Sequence, residues 1–264
     1  MNMPGLEAAI PLRRNMPKGE RQESLPDKVA GMLGRRIVSG TYKPGDPLPT
    51  ESRIQAEFGV SRTAVREAIR LLSAKGLTQS RPKTGTRVRP ISKWNMLDPD
   101  VLRWHVEEEP SEAFIHALFE MREIIEPASA SRAAERATPE QLAALQTAME
   151  GIQNEERGSP AQIKADIAFH MTLLEASQNP MLRSVGALIE SALEISFSLG
   201  WRTVMADDAV MQHRAVYDAV RLKQVDEAFV AMRRLLRSSK GDVFDAIWMK
   251  RTDLGNDESS RFPS

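Results

Sequence analysis

A chain of 264 residues that is 41% hydrophobic can bury a sizeable core in one large or two ordinary domains, and two are expected here. Its 36 basic and 36 acidic side chains balance, yet residues 25–93 hold 14 basic against 5 acidic residues and residues 94–264 hold 18 against 28, so a basic segment suited to phosphates precedes an acidic one. The absence of cysteine excludes disulfides and thiolate metal sites, which fits the cytoplasm, and no apolar run reaches membrane length.

Residues 1–24 lack signal-peptide order and read as a disordered arm. From Leu25, the residues Val29, Met32, Leu33, Ile37 and Val38 form a helical stripe that ends near Ser39-Gly40. Tyr42 to Pro49 holds three prolines and a glycine and reads as an extended spacer. Thr50 to Lys75 then predicts two helices meeting at a corner. Thr50 caps the first, whose Ile54 and Phe58 share a face, and Gly59 tolerates the positive φ of a sharp exit. Ser61 caps the second, whose Val65, Ala68, Ile69 and Leu72 follow the helical period while Arg62, Thr63, Arg66 and Arg70 lie off that stripe.

A helix-turn-helix of this kind presents the N-terminal residues of its second helix to base edges in the major groove, where Arg forks to guanine O6 and N7. An αα-hairpin with a solvated basic face has the same periodicity, but cap, corner, apolar stripe and basic edge together favour DNA reading. Leu77 to Ser80 and Thr86 to Arg89 read as strands of a hairpin wing. Arg81, Lys83 and Arg87 are placed to follow phosphates and Gly85 to let the backbone approach, although a merely solvated hairpin is also basic. PGDPLPTESRIQAEFGVSRTAVREAIRLLSAKGL followed by SRPKTGTRV resembles the winged helix of GntR-type bacterial transcription regulators, and the resemblance covers Leu25 to Arg89. It implies a DNA-binding domain over residues 25–90, a homodimer and a pseudo-palindromic double-stranded operator. The family usually has Arg where this chain has Ser52, which shifts or removes one phosphate contact and leaves Arg53 beside it as the candidate.

Residues 91–110 show no sustained period and read as a linker packed in part through Trp94 and Leu97. Residues 111–250 read as an all-helical bundle. Ser111 opens a long segment bent at Pro127, and Thr138-Pro139 and Ser159-Pro160 start the next two helices. Further helices are expected from Asn179-Pro180 to Gly200, from Asp207 to Val220 and from Asp226 to Trp248, before a loose tail over residues 251–264. The fold class is therefore mainly α, a winged helix-turn-helix with a small β-hairpin followed by a helical bundle.

Within the bundle, Asp166 and His170 are four residues apart on one helical face, and His213 begins a face on a later helix. Together they make an Asp-His-His set for a divalent ion, Zn or Ni foremost, while a helical Asp-His pair with an unrelated surface His gives the same spacing. DIAFHMTLLEASQNPML and QHRAVYDAV are similar to the metal-binding helices of the FCD effector domain, which accompanies the FadR branch of the same family. Many such domains supply a further His that Met181 to Arg202 lacks, leaving water, an effector, Glu190 or Glu194 to complete the site. By the same resemblance Arg122 is an effector carboxylate clamp, although a salt bridge to Glu126 accounts for it equally. Trp201 and Arg202 are placed to edge the pocket, although a Trp that ends a helix is more often core. WNMLDPDVLRWH is similar to a segment of sugar-acid responsive members. The expectation is a repressor released from its operator by a small carboxylate; the alternatives are a metal-dependent enzyme on Asp166, His170 and His213, or a pure metal sensor.

Overall fold

The computed structural model describes residues 24–81, 84–108, 110–199 and 207–259, and the chain divides into two compact units, Met1–Glu109 and Pro110–Ser264. In the first unit, α1 (Leu25–Val38) opens on a capping box between Ser24 and Asp27 and buries Val29, Leu33 and Ile37. Helix α2 (Glu51–Phe58) is capped by Thr50 and leaves through Gly59, whose φ of 64° is the left-handed exit that glycine permits. Helix α3 (Arg62–Ala74) starts at once behind Ser61 and buries Val65, Ala68, Ile69 and Leu72 against Leu33 and Ile54 in one core.

Strand β1 (Thr78–Arg81) pairs antiparallel with β2 (Gly85–Val88), with Thr78 opposite Val88. The proline-rich stretch expected to be a spacer forms the other edge of this hairpin. Gly45 N donates to Val88 O at 2.9 Å, Leu48 N to Thr86 O at 2.8 Å and Val88 N to Asp46 O at 3.0 Å. Pro47 has no amide to give, but an edge strand needs donors only at alternate positions, so this pairing survives its prolines.

The stretch expected to be a linker also carries structure. A short 3-10 turn (Ile91–Lys93) leads to α4 (Pro99–Glu107), which Asp98 caps through bonds from Asp100 N and Val101 N. Trp94 is buried as expected, but Leu97 is exposed, and Val101 and Trp104 join the core of the first unit instead. A Cβ on Gly34 would lie 2.3 Å from the Trp104 ring, so that glycine is what lets the indole lie on α1.

The second unit contains α5 (Glu112–Arg136), α6 (Pro139–Asn154), α7 (Pro160–Ala176), the single turn α8 (Pro180–Arg183), α9 (Gly186–Leu199), α10 (Asp207–Arg221) and α11 (Val225–Ser259). Helix α5 packs against α7 and α11, with α6 on α7 and α10 on α11, around Leu145, Met149, Phe169, Leu173, Val216, Met232 and Leu236. The helix expected to begin at Asn179-Pro180 is divided into α8 and α9. Helix α5 continues through Pro127 as one element, and α11 runs past Trp248 to Ser259 where a loose tail was expected. No helix among the described residues is long and apolar enough to cross a membrane.

Candidate functional site

The corner between α2 and α3 turns a basic edge outward. Arg53, Ser61, Thr63 and Gly85 are exposed, and the side chains of Arg62, Arg66 and Arg70 are 72, 70 and 81% exposed. These arginines are not isolated: Arg62 Nε donates to Glu51 Oε2 at 3.0 Å, Arg66 Nε lies 4.0 Å from Glu51 Oε1, and Arg70 Nη1 lies 3.6 Å from Glu67. The Ser61 hydroxyl accepts Ala64 N at 3.2 Å, so its cap is in place. Gly85 holds a φ of 77° with open space at its Cβ position. Arg87, expected beside phosphates, instead donates from Nη1 to Gly45 O at 2.9 Å and fastens the wing to its third edge. Lys83 and Trp201 lie outside the described residues.

In the second unit, α7 buries Asp166 and His170 on one face, and α10 brings His213 to the same point; all three are about 2% exposed. Their ligand atoms lie within 4.8 Å of one another. Asp166 Oδ1 is 2.7 Å from His213 Nε2 and 3.7 Å from His170 Nε2. Phe169 packs edge-on against both imidazoles, which also meet each other edge-on at a centroid distance of 5.6 Å.

The outer nitrogens decide the chemistry. His213 Nδ1 donates to the Ala209 carbonyl at 2.7 Å, and His170 Nδ1 donates to Glu126 Oε2. A neutral imidazole bonded in this way keeps a bare lone pair on Nε2, so both rings aim acceptors at Asp166 Oδ1, which is itself an acceptor. Among the described residues, Asp166 Oδ1 and His213 Nε2 are buried with no hydrogen-bond donor, although they sit at ion-pair distance. Facing lone pairs repel unless a proton or a cation stands between them. One carboxylate oxygen and two imidazole nitrogens, each ring oriented from behind, fit a borderline divalent ion such as zinc or nickel.

Burial pushes the Asp166 carboxyl up, but positive charge at His213, then at His170 and Arg122, outweighs it and holds the group below its ordinary range, a proton between these atoms doing there what a cation would do. Glu126 is likewise raised by burial, and Arg122 and His170 bring it down to about 2. Arg122, on α5, donates from Nε to Glu126 Oε1 at 2.6 Å with only 1% of its side chain exposed. Its Nη1 is buried and has no partner among the described residues. Of the two roles left open by the sequence, the salt bridge is therefore formed, and a donor remains. That donor, Asp166, His170, His213, Ser196 and Gln212 line a cavity of about 20 Å³, room for roughly one water molecule. Glu190 and Glu194 are not among its lining residues.

Residues 25–88 match the gntR family of bacterial regulatory proteins, and residues 117–238 match the FCD domain. The chain is 37% identical over 218 residues to the galactonate operon transcriptional repressor of Escherichia coli (strain K12), covering 81% of this chain and 94% of that protein. This chain belongs to the gntR family. It is 39% identical over 222 residues to YieP, an uncharacterized HTH-type transcriptional regulator of the same strain, covering 82% of this chain and 94% of that one. The solved structure of Lar, which controls expression of the Listeria monocytogenes agr system, shares the fold at 19% identity and a TM-score of 0.56, covering 86% of this chain and 99% of that one.

As a gntR-family member the chain is a ligand-responsive DNA-binding transcription regulator and not an enzyme, so the metal-dependent enzyme weighed from the sequence is set aside. Glu126 is the site residue that sequence reasoning undervalued. Its spacing from Arg122 marked it as a salt-bridge partner, but nothing in the sequence places its second oxygen on His170, 44 positions away. Gln212, whose Oε1 is buried without a donor beside the cavity, was likewise missed, since it differs from any polar residue of an amphipathic helix only in where it points.

Proposed function

We propose that this regulator is a homodimeric cytoplasmic repressor that binds a pseudo-palindromic operator through Arg53, Ser61, Arg62, Thr63, Arg66, Arg70, Lys83 and Gly85, and that a small carboxylate of the sugar-acid class releases it. The effector would enter the cavity beside Asp166, His170, His213 and Arg122, and Trp201 would contribute to its binding. The observation that carries this reading is the unpartnered, buried Nη1 of Arg122 next to three converging ligand atoms. A buried cationic donor without an acceptor is expensive, and a carboxylate oxygen satisfies it. A divalent ion held by Asp166, His170 and His213 would supply open coordination for the same carboxylate. A pure metal sensor leaves that Arg122 donor without a task. The likeness to a galactonate operon repressor supports a sugar acid as the class.

The cavity of about 20 Å³ is too small for such an acid, so entry must displace its walls. An effector that prefers the widened arrangement shifts the population toward it, and operator affinity falls by the difference in effector binding to the two states. Calorimetry with zinc or nickel, then galactonate, paired with operator binding, tests the assignment. His170→Ala and His213→Ala are expected to weaken metal and acid binding together by more than about tenfold. Arg122→Lys keeps a charge beside Glu126 but loses the fork, so it should hold metal and lose acid. Operator release by the acid that survives His170→Ala unchanged would show that no metal takes part in sensing.

A further inference from the structure

We propose that Glu51 is a positioning residue for sequence recognition, holding Arg62 and Arg66 by their Nε edges so that their terminal forks face the bases. The inference rests on α3 being the groove-reading helix. Glu51 is the first residue of α2, and the turn at Gly59 brings it beside the start of α3. Arg62 and Arg66 are one helical turn apart on a single face, so one carboxylate can serve both. Its Oε2 accepts a hydrogen bond from Arg62 Nε at 3.0 Å, and its Oε1 lies 4.0 Å from Arg66 Nε, a looser ion-pair contact that is not a hydrogen bond.

A guanidinium offers a side edge containing Nε and a terminal edge containing both Nη groups. Because Glu51 occupies Arg62 Nε and faces Arg66 Nε, neither terminal edge is engaged by Glu51, and two parallel donors are what guanine O6 and N7 accept. Arg70 is approached the other way: Glu67 lies 3.6 Å from its Nη1, on the edge that Glu51 leaves open in Arg62 and Arg66. A carboxylate on a surface that faces phosphates weakens attraction to every DNA sequence alike. It also stops two long side chains from swinging onto phosphates, so correct bases gain relative to all others. When a duplex displaces the surrounding water, the pair strengthens and the orientation tightens.

Selection from a randomised duplex DNA library with the full chain, followed by affinities for the selected duplex and a scrambled one, tests the role. Glu51→Asp keeps the charge at the start of α2 but is too short to reach Arg62. Its selectivity between the two duplexes should fall about tenfold, concentrated at guanine positions, with scrambled-duplex affinity within about twofold of the parent. Glu51→Gln should raise scrambled-duplex affinity and lose part of the selectivity. Parental selectivity in Glu51→Asp overturns the proposal. So does an equal loss on both duplexes with a lowered melting temperature, which would make Glu51 only a helix-start residue. If the parent protein enriches no sequence, or Arg62→Ala keeps the parental preference, the groove reading of α3 itself is wrong.

Discussion

Each unit holds an arginine–glutamate pair, and their surroundings give the two pairs opposite work. Arg62 and Glu51 meet at 3.0 Å with side chains 72 and 36% exposed, whereas Arg122 and Glu126 meet at 2.6 Å with 1 and 3% exposed. In water such a pair contributes at most about 1 kcal/mol, so its partners are free to exchange for bases and phosphates. In the interior neither charge can lose its partner without a large desolvation penalty. Glu126 is bound twice, to Arg122 and to His170, and so it ties the Arg122 guanidinium to the Asp166, His170 and His213 cluster. The exposed pair is adjustable, as the proposed reading surface requires, and the buried pair is a frame.

The same change made in both pairs breaks or upholds that contrast. Glu126→Ala strands the Arg122 charge and should cost about 3–5 kcal/mol in urea unfolding. Glu51→Ala should cost less than about 1 kcal/mol, and equal losses would mean that burial is not what separates the pairs.

The first unit has its own buried ionisable group, which limits how far it can be treated as a solvated surface. Burial lowers the His105 imidazole on α4 from 6.5 to about 4. Between those values the unfolded chain takes up a proton that the folded chain refuses. Stability is therefore complete above pH 6.5 and declines as pH falls toward 4, by up to roughly 3 kcal/mol. Urea unfolding across this range should show the decline, and His105→Gln should flatten it.

The smallest effect on the fold belongs to the reading surface itself. Arg62→Ala or Arg66→Ala should remove about 1–3 kcal/mol of specific operator binding with the unfolding midpoint unmoved. Anisotropy on a selected duplex and urea melts of the same variants check both halves of that statement. A shifted midpoint would tie these arginines to the fold and blur the contrast.

The sequence by itself determined the helix-turn-helix, because its signals are local: Thr50 and Ser61 cap bonds three residues away, Gly59 sets one φ, and the stripe from Val65 to Leu72 repeats within one helix. It likewise placed Asp166 and His170 on one face, since i and i+4 always share one. What lay beyond it were long-range pairings. Residues 45–48 read as a spacer because prolines suppress a strand signal, and only β2 supplies the partners that make them an edge. Helix α4 is too short to show its period, and its place depends on Trp104 finding the gap above Gly34. Tertiary structure alone decided that Glu126 reaches His170, that the Ala209 carbonyl fixes the His213 ring, and that Arg122 keeps one buried donor unpaired among the described residues. Spacing along a helix fixes which way a side chain leaves its own backbone, whereas the group it meets depends on how α5, α7 and α10 pack.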